Sequence, residues 1–106
     1  MSKIVLDRHS VKTLFPGFEA RLIHTERMTL AYVDIEAGAE LPEHHHPHEQ
    51  VVNVLSGEFE LVVDDKSHVL TGGEVFVIPP NVRHSGTARA RCEVLDVFCP
   101  IREDLV

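Results

Sequence analysis

Apolar and polar residues alternate along most of this chain, and nowhere do apolar positions recur at the three-and-four spacing of a helix. The stretch "FEARLIHTERMTLAYVDI" (18–35) predicts one or two strands, and "EAGAELP" after it reads as a turn. "QVVNVLSGEFELVVDD" predicts two strands about a turn at Ser56-Gly57, and "KSHVL" a short strand ended by "TGG". "EVFVIPP" is a strand stopped by prolines, and "HSGTARARCEVLDVF" supplies the last pair. Some eight or nine short strands at a spacing of about ten residues are the signature of an all-β sandwich or barrel. A jelly-roll β-barrel closes such a set with few exposed edges. Residues 1–106 read as a single domain, with residues 1–14 left open between an extended arm and one helical turn.

Composition narrows the function. The chain has 106 residues, 43% of them apolar, which is enough for one core without staples. A net charge of −7, with no face gathering Lys and Arg, makes nucleic acid and anionic membranes poor partners. "MSKIVLDRHS" has no apolar leader, and no apolar run approaches the ~20 residues of a membrane span, so a cytoplasmic location is expected. Cys92 and Cys99 fall in one predicted strand. At ~3.3 Å per residue they are about 20 Å apart, on opposite faces, and both are expected to be reduced.

Four of the eight histidines crowd into "HHHPH", residues 44–48. Imidazole is the commonest protein ligand for first-row divalent metals. The cluster reads as an ordered metal site, an expression tag or a disordered metal-binding tract; its internal position and the β-forming run beside it argue for the first. In a strand, residues two apart share a face, so His44 and His46 converge while His45 points away. The same parity takes in His48 and Gln50, although Pro47 breaks the regularity around His48. "PPNVRHSG" offers a further ligand, His84, at the mouth of another strand. His9, His24 and His68 stand alone; of these His24 merits attention because it sits in an alternating strand.

These residues resemble the two motifs of the cupins. The first is Gly38, five residues, His44-His45-His46, three residues, Gln50, six residues and Gly57, with Gln where the family usually has Glu. The second is Gly73, five residues, Pro79-Pro80-Asn81, two residues and His84, with Asn81 in place of a glycine and Ala88 in place of a final Asn. Asn is a tolerable substitute at a turn needing positive φ. The resemblance implies a cupin jelly roll (a double-stranded β-helix) holding one divalent transition metal ion, Zn, Ni, Mn or Fe, through His44, His46, Gln50 and His84. His45 and His48 then flank the site. It also implies a homodimer. A neutral Gln amide cancels none of the metal's charge, which favours Lewis-acid chemistry over oxygen activation.

The tail "DVFCPIRED" together with "HPHEQ" is similar to the small pectin-degradation cupins, which convert 4,5-unsaturated uronates into linear keto sugars. That resemblance implies an anionic sugar substrate and catalytic or substrate-binding roles for Asp96, Phe98 and Arg102. Asp96 would shuttle a proton, Arg102 anchor the uronate carboxylate and Phe98 pack against the sugar. The bland alternatives are a solvated outer face for Asp96, and for Arg102 a surface ion pair with Glu103 or Asp104. Two other functions compete: a metal-dependent oxygenase, disfavoured by Gln50, and a non-catalytic small-molecule binding module.

Overall fold

The computed structural model describes residues 2–106. Ten strands form in chain order: β1 Lys12–Phe15, β2 Phe18–His24, β3 Thr29–Ile35, β4 Glu40–His44, β5 Glu49–Ser56, β6 Glu58–Val63, β7 Lys66–Thr71, β8 Glu74–Ile78, β9 His84–Ala88 and β10 Cys92–Cys99. They make a six-stranded sheet, β1-β2-β3-β10-β5-β8, and a four-stranded sheet, β4-β9-β6-β7, with every pairing antiparallel. The fold is the expected jelly roll. Two strands depart from the sequence expectation. β1 is too short to show a pattern, and β4 begins inside "EAGAELP", where Gly38 and Pro42 suggested only a turn.

The alternation read from the sequence is the alternation of burial. In β3 every second residue from Thr29 to Ile35 is buried, and in β2 Phe18, Ala20 and Leu22 are. The inward residues of both sheets meet in one core that includes Val52, Val54, Phe59, Leu61, Val94 and Phe98. Turns follow backbone chemistry. Asp64 and Asp65 both have positive φ, as a two-residue type I′ hairpin between β6 and β7 requires. Gly57 has φ +89°, and a Cβ there would collide with the Arg91 carbonyl, so that position admits only glycine. Asn81 has φ +66°, which is how it replaces the glycine of the second motif.

Outside the sheets, the described residues form two short 3-10 turns, Leu6–Arg8 and Glu103–Leu105. No helix among the described residues is long and apolar enough to cross a membrane. Cys92 is buried, Cys99 is exposed, and both are free thiols.

Candidate metal centre

His44 ends β4 and His84 opens β9, and the two are partners in the register of that pair. Their ring centroids are 4.3 Å apart. His46 joins them from the loop after β4, 5.6 Å from His44 and 5.0 Å from His84. The convergence of His44 and His46 was expected from strand parity, but no strand runs through both. The chain leaves the sheet at His44, and the loop is pinned where the Asn81 N–H donates to the His46 carbonyl at 2.8 Å. One nitrogen from each of His44, His46 and His84 lies within 4.8 Å of the others, so the three could hold a metal ion.

The hydrogen bonds around the rings fit that use. Each Nδ1 faces a backbone carbonyl two residues away: His44 to Pro42 at 2.8 Å, His46 to His48 at 3.1 Å and His84 to Val82 at 2.9 Å. A proton on each Nδ1 leaves the three Nε2 lone pairs free. The buried Nε2 of His84 has no partner. The Nε2 of His46 lies 3.1 Å from Gln50 Oε1, so this ring has carbonyl oxygens on both sides. A neutral imidazole has one proton for those two acceptors. An orphaned nitrogen and an acceptor facing an acceptor are what a bound cation resolves.

Burial favours the neutral form of His46 and His84. Burial, with the Arg102 and His84 charges behind it, pushes His46 down to about 4. Burial also lowers His84. Neutral imidazole is the ligating form.

Gln50 is buried on β5 and binds Asp96 across the β5–β10 pair, its amide Nε2 donating to Asp96 Oδ1 at 3.0 Å. Asp96 sits between the buried Val94 and Phe98 on the inward face of β10, not on the solvated face. Desolvation raises its carboxyl to about 6, against the opposing pull of the Gln50 amide and the Arg102 charge. Phe98 lies edge-on to His46, with ring centroids 5.7 Å apart, and the Arg102 guanidinium stacks 4.7 Å from its centroid. Arg102 is only 14% exposed and makes a two-pronged pair with Asp104, Nε to Oδ1 at 3.0 Å and Nη2 to Oδ2 at 2.8 Å.

His44, Gln50, His84, Asp96, Phe98 and Arg102 line a cavity of about 210 Å³ together with Phe15, Phe18, Val33 and Phe59, whereas His46 lines a second cleft with His45, His48 and Pro100. His45 is exposed, and His48 is half-buried, donating from Nε2 to the Ile101 carbonyl at 3.1 Å. His24 takes no part in the triad. Its Nδ1 faces Thr29 Oγ1 at 2.9 Å, and that buried hydroxyl oxygen accepts the Arg102 backbone N–H at 2.9 Å. Thr29 and Phe15 were missed from sequence, since neither carries a motif and β1 was not foreseen.

The chain has relatives of known name. A family model described as a cupin domain matches residues 31–98. The pectin degradation protein KdgF of Dickeya dadantii (strain 3937) is 30% identical over 66 residues, covering 61% of this chain and 60% of that protein. Protein SchB of Streptomyces halstedii is 41% identical over 51 residues, 47% of this chain and 37% of its own length. The chain thus spans less than two thirds of either curated relative. In contrast, the solved structure of KdgF from a Halomonas species superposes with a TM-score of 0.93 over 100% of this chain and 99% of that one, at 28% identity. With jelly roll, histidine triad and family match in agreement, the chain belongs to the cupin family.

Proposed function

We propose that this cupin is a non-redox, metal-dependent enzyme that ketonises 4,5-unsaturated uronates. The observation that carries the reading is Asp96, an acid inside the barrel linked through Gln50 to the histidine triad. The end-to-end likeness to a KdgF structure supports the substrate class. His44, His46 and His84, with the Gln50 amide oxygen, would hold a divalent Zn, Ni, Mn or Fe ion. Such an ion, when bound, supplies positive charge that polarises a substrate oxygen.

The chain's own groups do the rest. Arg102 takes the uronate carboxylate. Phe98 supports the reacting wall through its contacts with His46 and Arg102 and offers packing for the sugar ring. Asp96 moves the proton. As the C1–O5 bond breaks, the anomeric hydroxyl gives up its proton, C1 becomes an aldehyde and O5 an enol oxygen. Delivery of one proton to C4 and release of the proton on the enol oxygen then convert the enol at C5 to a ketone, so the net change is an isomerisation. An acid titrating at about 6 serves both as donor and as acceptor near neutrality.

The test is loss of the unsaturated-uronate absorbance by metal-loaded protein. Asp96→Asn is expected to abolish that loss while metal content by elemental analysis stays at wild-type level. Wild-type turnover by the Asn variant would overturn the assignment.

We also propose that two copies pair through the outer face of the six-stranded sheet. Leu30, Tyr32, Leu95, Val97, Val75 and Val77 share that face, where a sheet exposed to water carries polar residues. Asn53, at its centre, turns its amide back onto the Leu95 carbonyl at 3.1 Å. By contrast the outer face of the four-stranded sheet carries Glu58, Glu60, Ser85 and Thr87. A flat aliphatic face suits a self-complementary two-fold contact with a second copy.

A further inference from the structure

The fork of Arg102 that the proposed reaction needs is already filled from within the chain. Asp104 meets the guanidinium side-on through Nε and Nη2, with both carboxylate oxygens engaged. This is the geometry in which Arg binds a free carboxylate. The guanidinium face rests on Phe98, and its backbone N–H is held by Thr29. Arg102 is therefore fixed in place, and at 14% exposure its charge needs a counter-ion.

Asp104 is held much less firmly. It is 59% exposed and belongs to the 3-10 turn Glu103–Leu105. Among the described residues, the hydrogen bonds of residues 103–106 go only to Arg102 and to one another. Leu105 on the same turn packs on the core and lines the cavity beside Leu14 and Phe15. The turn thus forms part of the cavity lining, held by the ion pair, the Leu105 N–H to the Arg102 carbonyl at 3.0 Å and the packing of Leu105.

We propose that Asp104 is a specificity-determining residue: it holds the carboxylate place on Arg102 until a substrate carboxylate exchanges with it, freeing the turn and Leu105 from the cavity lining. This rests on Arg102 being the carboxylate anchor of the reaction above. Exchange of one carboxylate for another keeps both N–H···O bonds and leaves Arg102 neutralised. A neutral sugar that displaced Asp104 would strand a buried cation, and one that did not would find the Arg102 fork occupied. The chain therefore selects for acids by making every ligand compete with an acid of its own.

Zn-loaded full-length protein and its Asp104→Asn variant would be titrated with D-galacturonate, a saturated uronate that cannot be ketonised, and with uncharged galactose. The Arg102 Nε–H NMR signal reports the exchange. Removing a competitor that fills the site most of the time tightens apparent affinity by the inverse of the open fraction, here roughly three- to tenfold. Asp104→Asn is expected to bind galacturonate tighter by that factor and to lower KM on the unsaturated uronate with kcat near wild type. Asp104→Glu should restore wild-type affinity, and galactose should move the Arg102 signal in neither protein. If Asp104→Asn is poorly folded, Asp104→Ser takes its place.

Unchanged or weaker galacturonate binding by the variant would overturn the proposal, as would galacturonate failing to bind either protein. Tighter galacturonate binding without any ketonisation would leave this proposal standing and remove the reaction. Intact ketonisation with no change in binding would remove this proposal alone.

Discussion

The Gln50 amide nitrogen stands 3.0 Å from a carboxylate oxygen of Asp96, while its oxygen faces His46 at 3.1 Å. One neutral side chain thus joins the histidine triad to the acid of the barrel wall. Gln50→Glu would put a second carboxylate against Asp96. Its charge is expected to tighten metal binding and to push Asp96 above its present value of about 6, since two adjacent acids resist joint ionisation. The pH–rate profile should then shift alkaline, with metal affinity measured by competition against a chelator; an unmoved profile would separate Gln50 from Asp96.

Metal should stabilise the fold. At a free ion concentration about 100 times its dissociation constant, binding contributes about 2.7 kcal/mol. For a domain of this size each kcal/mol moves Tm by about 4–8 °C, so stripping the ion with chelator should lower Tm by about 10 °C or more. His84→Ala deletes one of the three converging nitrogens. Its Tm should be indifferent to chelator, and a chelator response equal to wild type would remove His84 from the centre.

pH dependence of the metal-free protein follows from the same rings. His46 titrates at about 4 in the fold and near 6.5 unfolded, so between those values the unfolded chain binds more protons. Stability from His46 is then full above about 6.5 and is lost as pH falls through 4, and His84 acts in the same direction. Asp96 opposes them, because its raised carboxyl makes stability fall as pH rises from 3.8 to about 6. Two histidines outweigh one acid, so urea midpoints should drop between pH 6.5 and 4. Asp96→Asn removes the opposing slope, and the drop should steepen; a shallower one would contradict the assignment of Asp96 as a buried, raised acid.

Self-association can be broken at the sheet margin. Val75 and Val77 are 55% and 53% exposed, so charge there should not disturb folding. Sedimentation of the wild-type chain should give a dimer, Val75→Lys with Val77→Glu a monomer, and Val69→Glu on the other sheet a dimer still. A wild-type monomer at high micromolar concentration would end the pairing proposal.

Much of this is legible in the sequence. Strand parity offers His44, His46, His48 and Gln50, a second segment adds His84, and the cupin resemblance reduces these to His44, His46, Gln50 and His84; the structure brings the three histidines together. Alternation in β10 placed Asp96 with Val94 and Phe98, although only the neighbouring strands decide that this face is the inner one. The reason for His46 was misread: its position comes from a loop held by the Asn81 N–H, a contact across 35 residues of sequence (81 − 46) that strand parity cannot see. The Arg102–Asp104 pair was foreseen only as a surface contact. That its guanidinium lies over Phe98 in the cavity lining depends on how the chain turns after Pro100, which local pattern does not encode.

Each triad ring is aimed by a carbonyl two residues away, at Pro42, His48 and Val82. Main-chain oxygens survive every side-chain substitution. The aim of the ligands is therefore inherited with the path of the chain, and the surrounding side chains can drift toward new substrates while the centre keeps its shape.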